Sequence, residues 1–159
     1  MAIPKIVFFL FMVFAFYLKG QSQPVPFEKI GELQKTERRP VMALIHTDWC
    51  AYCGSMKYAM LNNNKISALL NKKFYVVLLD AEEKKAIKFA GRKFQYKPTG
   101  KNTGVHELAQ QIGNINGQLS YPTICFLNDK NEIIYQHAGY LNPEALNKVL
   151  KTVSDIYSK

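Results

Sequence analysis

The sequence predicts one α/β domain, a central sheet flanked by helices, and three observations carry that reading. Two short continuous apolar runs, Val41 to Ile45 and Phe74 to Leu79, have the pattern of strands covered on both faces. Apolar residues at helical spacing occur before, between and after these runs. A length of 159 residues suits one compact domain and is too short for two ordinary ones, which excludes a multidomain enzyme. A charged share of 21% with a mean hydropathy near zero also excludes a disordered, collagenous or polytopic membrane chain.

Residues 1–22 read as a signal peptide and 23–159 as the folded domain. Lys5 gives a positive start, Ile6 to Leu18 is a run of thirteen apolar or aromatic residues, and Gly20 and Ser22 offer a small-x-small cleavage pattern. Thirteen residues are short of the roughly 20 that a spanning helix needs. A periplasmic or secreted location is therefore expected. Lys19 sits awkwardly near the cleavage site, so an uncleaved anchor is the alternative and the one membrane contact expected. No cysteine precedes Cys50, which removes a lipid-modified cysteine at the cleavage site.

The whole chain has 21 basic and 12 acidic residues, a formal +9; without the signal, 19 basic residues remain and the charge is +7. Seven cations, Lys84, Lys85, Lys88, Arg92, Lys93, Lys97 and Lys101, fall in one stretch. They could attract an acidic partner or a polyanion, and a solvated face is the plainer reading. No nucleic-acid-binding signature is present, so nucleic acid is not an expected partner.

Phe27, Ile30 and Leu33 recur at helical spacing and predict a first helix to about Arg38, ended by Pro40. After the strand Val41 to Ile45, Thr47 and Asp48 lead into a helix starting near Cys50, with Met56, Ala59 and Met60 turned inward. Asn64 is expected to cap a further helical piece, Lys65 to Asn71, before the second buried strand. Ile87 to Tyr96 alternates apolar and polar residues about Ala90-Gly91, which predicts a β-hairpin. Lys97 to Gly104 reads as a loop and His106 to Ile112 as a helix. Thr123 to Leu127 and Ile133 to Gln136, joined by the turn-forming residues 128–131, form an antiparallel pair. Asn142 and Pro143 open a last helix whose face is Leu146, Val149, Leu150, Val153 and Ile156.

Three cysteines in an exported chain imply one pair and one left over. Cys50 and Cys53, in Trp49-Cys50-Ala51-Tyr52-Cys53, are close enough to close a small ring. A first cysteine at a helix start has its thiolate stabilised by free backbone N–H groups and the helix dipole. Cys50 would attack a substrate disulfide, and Cys53, one turn inside and shielded, would resolve the mixed disulfide. A CxxC is also half of a zinc site, but no second CxxC exists, and Cys125, His46, His106 and His137 lack ligand spacing. No metal or other cofactor is therefore expected. An inert structural disulfide is the other alternative. His106-Glu107 is no metalloprotease motif, because Gln110 stands four beyond His106. Cys125, in an apolar strand, reads as a buried thiol.

Tyr121-Pro122-Thr123 lies just before a strand. With WCxxC opening a helix after a buried strand, and a hairpin and terminal helix at the end, the chain resembles the thioredoxin superfamily over about Phe27 to Tyr157. The resemblance implies a thioredoxin-like central mixed sheet flanked by helices, with a β-hairpin insertion before the cis-proline. It further implies that Pro122 is cis beside the dithiol, and that Trp49, Ala51, Tyr52, Tyr121 and Pro122 contact substrate. Thioredoxins bury an acid six residues before the first cysteine, and this chain has Leu44 there. His46 projects on the same side as Leu44 and lies nearer the dithiol, so it is the candidate replacement base. Asp48 is a second, more exposed candidate. The plainer reading of His46 is a satisfied, half-buried histidine.

The expected function is a thiol-disulfide oxidoreductase that reduces or exchanges disulfides in exported proteins. Its partners would be disulfide-containing proteins and an unidentified thiol electron donor, with the chain acting as a monomer. Ala51-Tyr52 matches neither the Gly-Pro of typical thioredoxins nor the Pro-His of strong oxidants, and is nearer the Gly-Tyr of isomerase-type proteins. A disulfide isomerase or oxidase is thus one alternative, and a non-catalytic thioredoxin-like binding module another.

Overall fold

The computed structural model describes residues 23–157, so the predicted signal segment lies outside the described residues. Helix α1 (Phe27–Thr36) is followed by β1 (Val41–His46), α2 (Ala51–Asn62), α3 (Asn64–Lys73) and β2 (Tyr75–Asp80). Two hairpins come next, β3 (Ile87–Phe89) with β4 (Arg92–Phe94) and β5 (Tyr96–Pro98) with β6 (Gly104–His106). Helix α4 (Glu107–Gly113), the short hairpin β7 (Asn114–Ile115) and β8 (Gln118–Leu119), β9 (Thr123–Leu127), β10 (Ile133–Ala138) and α5 (Pro143–Tyr157) complete the chain.

The central sheet has the order β10-β9-β1-β2, with β1 and β2 parallel and the other pairings antiparallel. A parallel pair needs a crossover, which α2 and α3 provide. Every residue of β1 is buried, and side-chain alternation divides them between two cores. Val41, Ala43 and Ile45 pack with Phe27 and Ile30 of α1 and Leu108 and Ile112 of α4. Met42 and Leu44 pack with Met56 and Met60 of α2, Leu70 of α3, and Leu146 and Leu150 of α5. Helices on both faces explain why this strand is continuously apolar. The alternation also sends His46, at the strand's end, toward α2.

Several boundaries differ from expectation. Helix α1 stops at Thr36, where Glu37 turns to extended geometry and closes its N–H onto the Leu33 carbonyl. The cap of α3 is Asn63, whose side chain accepts the N–H groups of Lys65 and Ile66, while Asn64 is already helical. Segment 97–104 is no simple loop, because its two ends pair as β5 and β6. The β7–β8 hairpin was not anticipated from its two-residue strands; Asn116 and Gly117, both at positive φ, form its turn. Strand β10 continues to Ala138. Ile156 is exposed, so the buried face of α5 is Leu146, Leu150 and Val153.

Candidate active site

Strand β1 and helix α2 build the site between them. Cys50 is the N-cap of α2, in extended geometry, and its Sγ accepts the Cys53 N–H at 3.2 Å. The helix N-terminus and this hydrogen bond act on the same sulfur, and both favour its ionised form. No acidic residue stands in the first turn to oppose them. Cys53 is 1% exposed, whereas Cys50 is only half-buried. The two sulfurs are bonded, with Cα atoms 5.2 Å apart. The expected division between an accessible and a shielded cysteine is therefore present in the geometry.

The Tyr121-Pro122 peptide is cis. Pro122 is buried and Tyr121 half-buried. Trp49, 67% exposed, stands edge-on to Tyr121 with ring centroids 5.8 Å apart, which joins the approach to the dithiol to the cis-proline turn. Tyr52, 66% exposed, meets Tyr140 at 5.5 Å. The Gly139 N–H donates to the Pro122 carbonyl at 2.7 Å, which ties Tyr140's loop to the same turn. Its φ of +98° suits glycine. Ala51 is exposed beside Cys50. An aromatic rim thus surrounds the dithiol.

His46 is 6% exposed and its Nδ1 has no hydrogen-bond partner; the neighbouring Thr47 hydroxyl is also buried without one. Burial above all, then the Lys57 ammonium, holds the imidazole below its ordinary pKa, against the opposing pull of Asp80, Asp48 and the Thr47 backbone, which lies near the ring without a well-formed hydrogen bond to Nδ1. The ring is therefore neutral at pH 7, with a nitrogen able to take a proton. A fully satisfied histidine does not describe it. Asp48 is exposed. Leu44, at the position of the thioredoxin acid, is fully buried in the apolar core with Met56 and Met60.

Asp80 and Tyr140 were not anticipated. Asp80 ends β2 in register with His46 on the adjacent parallel strand, so both project on the same face. Its signal, two buried strands of equal length ending in a histidine and an aspartate, is readable only once their pairing is known. Tyr140 carries no local signal.

Cys125 is fully buried opposite Ala43, and burial pushes its thiol up to about 12. His106 caps α4: its Nδ1 accepts the Leu108 N–H at 3.2 Å while Nε2 faces the Lys85 carbonyl at 3.2 Å. Among the described residues no cluster of three or more His, Cys, Asp or Glu side chains could hold a metal ion.

A family model for a thioredoxin-like domain matches residues 26–154. No curated protein matches the sequence. Among solved structures, a thioredoxin from Thermus thermophilus aligns with a TM-score of 0.61 at 21% identity, over 87% of this chain and 91% of that one. A DsbH oxidoreductase aligns at 0.59 and 16% identity, over 87% and 86%. A disulphide isomerase from Xylella fastidiosa Temecula1 aligns at 0.55 and 19%, over 79% and 86%. At such identities the likeness is one of fold. A helix-capping dithiol on that fold is consistent with a thiol-disulfide oxidoreductase, and with the family match extending over most of its length, the chain belongs to the thioredoxin-like domain family.

Proposed function

We propose that the chain reduces or exchanges disulfide bonds of exported proteins through the Cys50–Cys53 dithiol. The observation that carries this reading is the asymmetry of the pair: Cys50 at the helix cap takes a backbone N–H on its sulfur, and Cys53 is shielded behind it. In the reduced protein the Cys50 thiolate attacks one sulfur of a substrate disulfide. The substrate S–S bond breaks, and the departing sulfur takes the electron pair and then a proton. Cys53 loses its proton to His46 and attacks the Cys50 sulfur, expelling the second substrate thiolate. The substrate has gained two electrons and the Cys50–Cys53 disulfide has formed; an external dithiol must reduce it again. Trp49, Ala51, Tyr52, Tyr121 and Pro122 are the residues against which the substrate segment lies.

The apolar N-terminal run supports export to the periplasm or beyond, where disulfide-containing substrates occur. Insulin reduction by the full-length chain with dithiothreitol as electron donor tests the reading. Turnover well above dithiothreitol alone, lost in Cys50→Ser, is expected. No turnover above the background would leave a binding module.

A further inference from the structure

We propose that the double-hairpin segment 82–106 is a docking surface for an acidic stretch of the polypeptide that carries the disulfide, a proposal that rests on the oxidoreductase reading. Of the seven cations in this region, three are engaged. The Lys84 ammonium lies 3.3 Å from the centre of the Tyr96 ring, Arg92 covers Phe94 and reaches Gln111, and Lys97 pairs with Glu107 at 3.1 Å. Lys85, Lys88, Lys93 and Lys101 are exposed and form no ion pair among the described residues. Glu83 lies near the run, but its carboxylate receives the Lys85 backbone N–H.

The register of β3 and β4 sets Lys88 directly opposite Lys93. Directly opposed residues share one face of a hairpin, about 5 Å apart at their β-carbons, and like charges there are destabilising. Folding needs the other face of the hairpin, where Phe89 and Phe94 are buried. It does not need two lysines facing each other in water. An anionic group lying across the hairpin neutralises both.

Two further features select the partner. None of the exposed large apolar side chains falls within 82–106, so the attraction is electrostatic and there is no apolar wedge for a bilayer. The segment's base is also fastened to the dithiol end of the sheet. The Ala81 N–H bonds the His46 carbonyl at 2.8 Å, and the His106 N–H bonds the Ala81 carbonyl at 2.7 Å. The surface thus rises from the end of the sheet at which β1 leads into Cys50, the end to which a polypeptide must bring its disulfide.

The test uses two peptides with the same cystine loop, one flanked by glutamates and one by glutamines, as substrates of the full-length chain with excess dithiothreitol. At low ionic strength the acidic peptide is expected to have at least a tenfold higher kcat/KM, through KM. That advantage disappears in about 1 M salt, where the screening length is about 3 Å. Lys88→Glu with Lys93→Glu removes the advantage and leaves the glutamine peptide unchanged. Equal rates for the two peptides in the unsubstituted protein overturn the proposal. Fluorescence anisotropy with a cysteine-free acidic peptide reads docking alone: binding without turnover upholds the surface and removes the oxidoreductase reading. Absence of binding overturns the surface, and vesicles containing phosphatidylglycerol that bind where the peptide does not reassign it to lipid.

Discussion

Leucine in place of His46 is expected to give a more stable and slower protein. The imidazole Nδ1 is buried with no partner, and an unsatisfied buried polar group costs about 1–3 kcal/mol. Leucine is of similar size and belongs with the apolar side chains on this face of β1, Met42 and Leu44. A gain of about 1–2 kcal/mol follows, which raises Tm by several degrees for a domain of this size. The gain should grow in acid. The folded-state pKa of His46 lies below its ordinary value, so between that lowered value and about 6.5 the unfolded chain binds more protons than the folded one. Wild-type stability therefore falls as the pH drops from about 6.5 through that window, and the variant has no proton to bind there. The chemistry moves the other way. A positioned general base contributes about 10²–10⁴ in rate, and the resolving attack needs the shielded Cys53 as its thiolate. Release of glutathione from protein glutathionylated on Cys50, followed by stopped flow from pH 6 to 9, reads the resolving step. About a hundredfold slowing at pH 7 is expected, with the gap between the two proteins narrowing toward pH 9. A variant that is less stable and keeps the wild-type pH profile would refute both the unsatisfied ring and its role as base.

Asn63→Ala should cost about 1 kcal/mol in chemical denaturation, because its side chain accepts two N–H groups at the start of α3. Asn64→Ala, in the first helical turn, should cost a few tenths at most, and equal losses would contradict the assigned cap. Cys125→Ala should leave turnover unchanged, and iodoacetamide applied to the reduced native protein should modify Cys50 and spare Cys125, whose thiol burial pushes to about 12. Labelling at Cys125 would count against that burial. His106→Asn keeps a capping oxygen for Leu108 but has no ring to protonate. Because burial, first of all, holds the His106 pKa below its ordinary value, the variant should lose less stability than wild type between pH 7 and 5.

The sequence was most readable where one local signal and the packing agree. The runs around Ala43 and Val77 are apolar because helices cover both sheet faces, and Asn142-Pro143 opens α5 through the Ala145 N–H bonded to Asn142 Oδ1 at 2.9 Å. The dithiol was readable too, since helix start, spacing and burial all bear on Cys50 and Cys53. Three consecutive asparagines, residues 62–64, each have the chemistry to cap, and only the extended backbone at Asn63 decides among them. The strands β5 and β6 are short and polar, and their pairing is set by the close approach of Gly104 to Tyr96 and the Lys97 carbonyl, which leaves no room for a β-carbon. Asp80 and Tyr140 are distant in sequence from the dithiol, and strand register and the cis-proline turn bring them to it.

The proposed chemistry requires Cys50 to be ionised near neutral pH. The measurement that tests it most directly is the pH dependence of Cys50 alkylation in the reduced protein, with Cys53→Ser removing the competing thiol. A titration clearly below the free-cysteine value of about 8.5 is expected. A thiol that titrates at or above that value would contradict it.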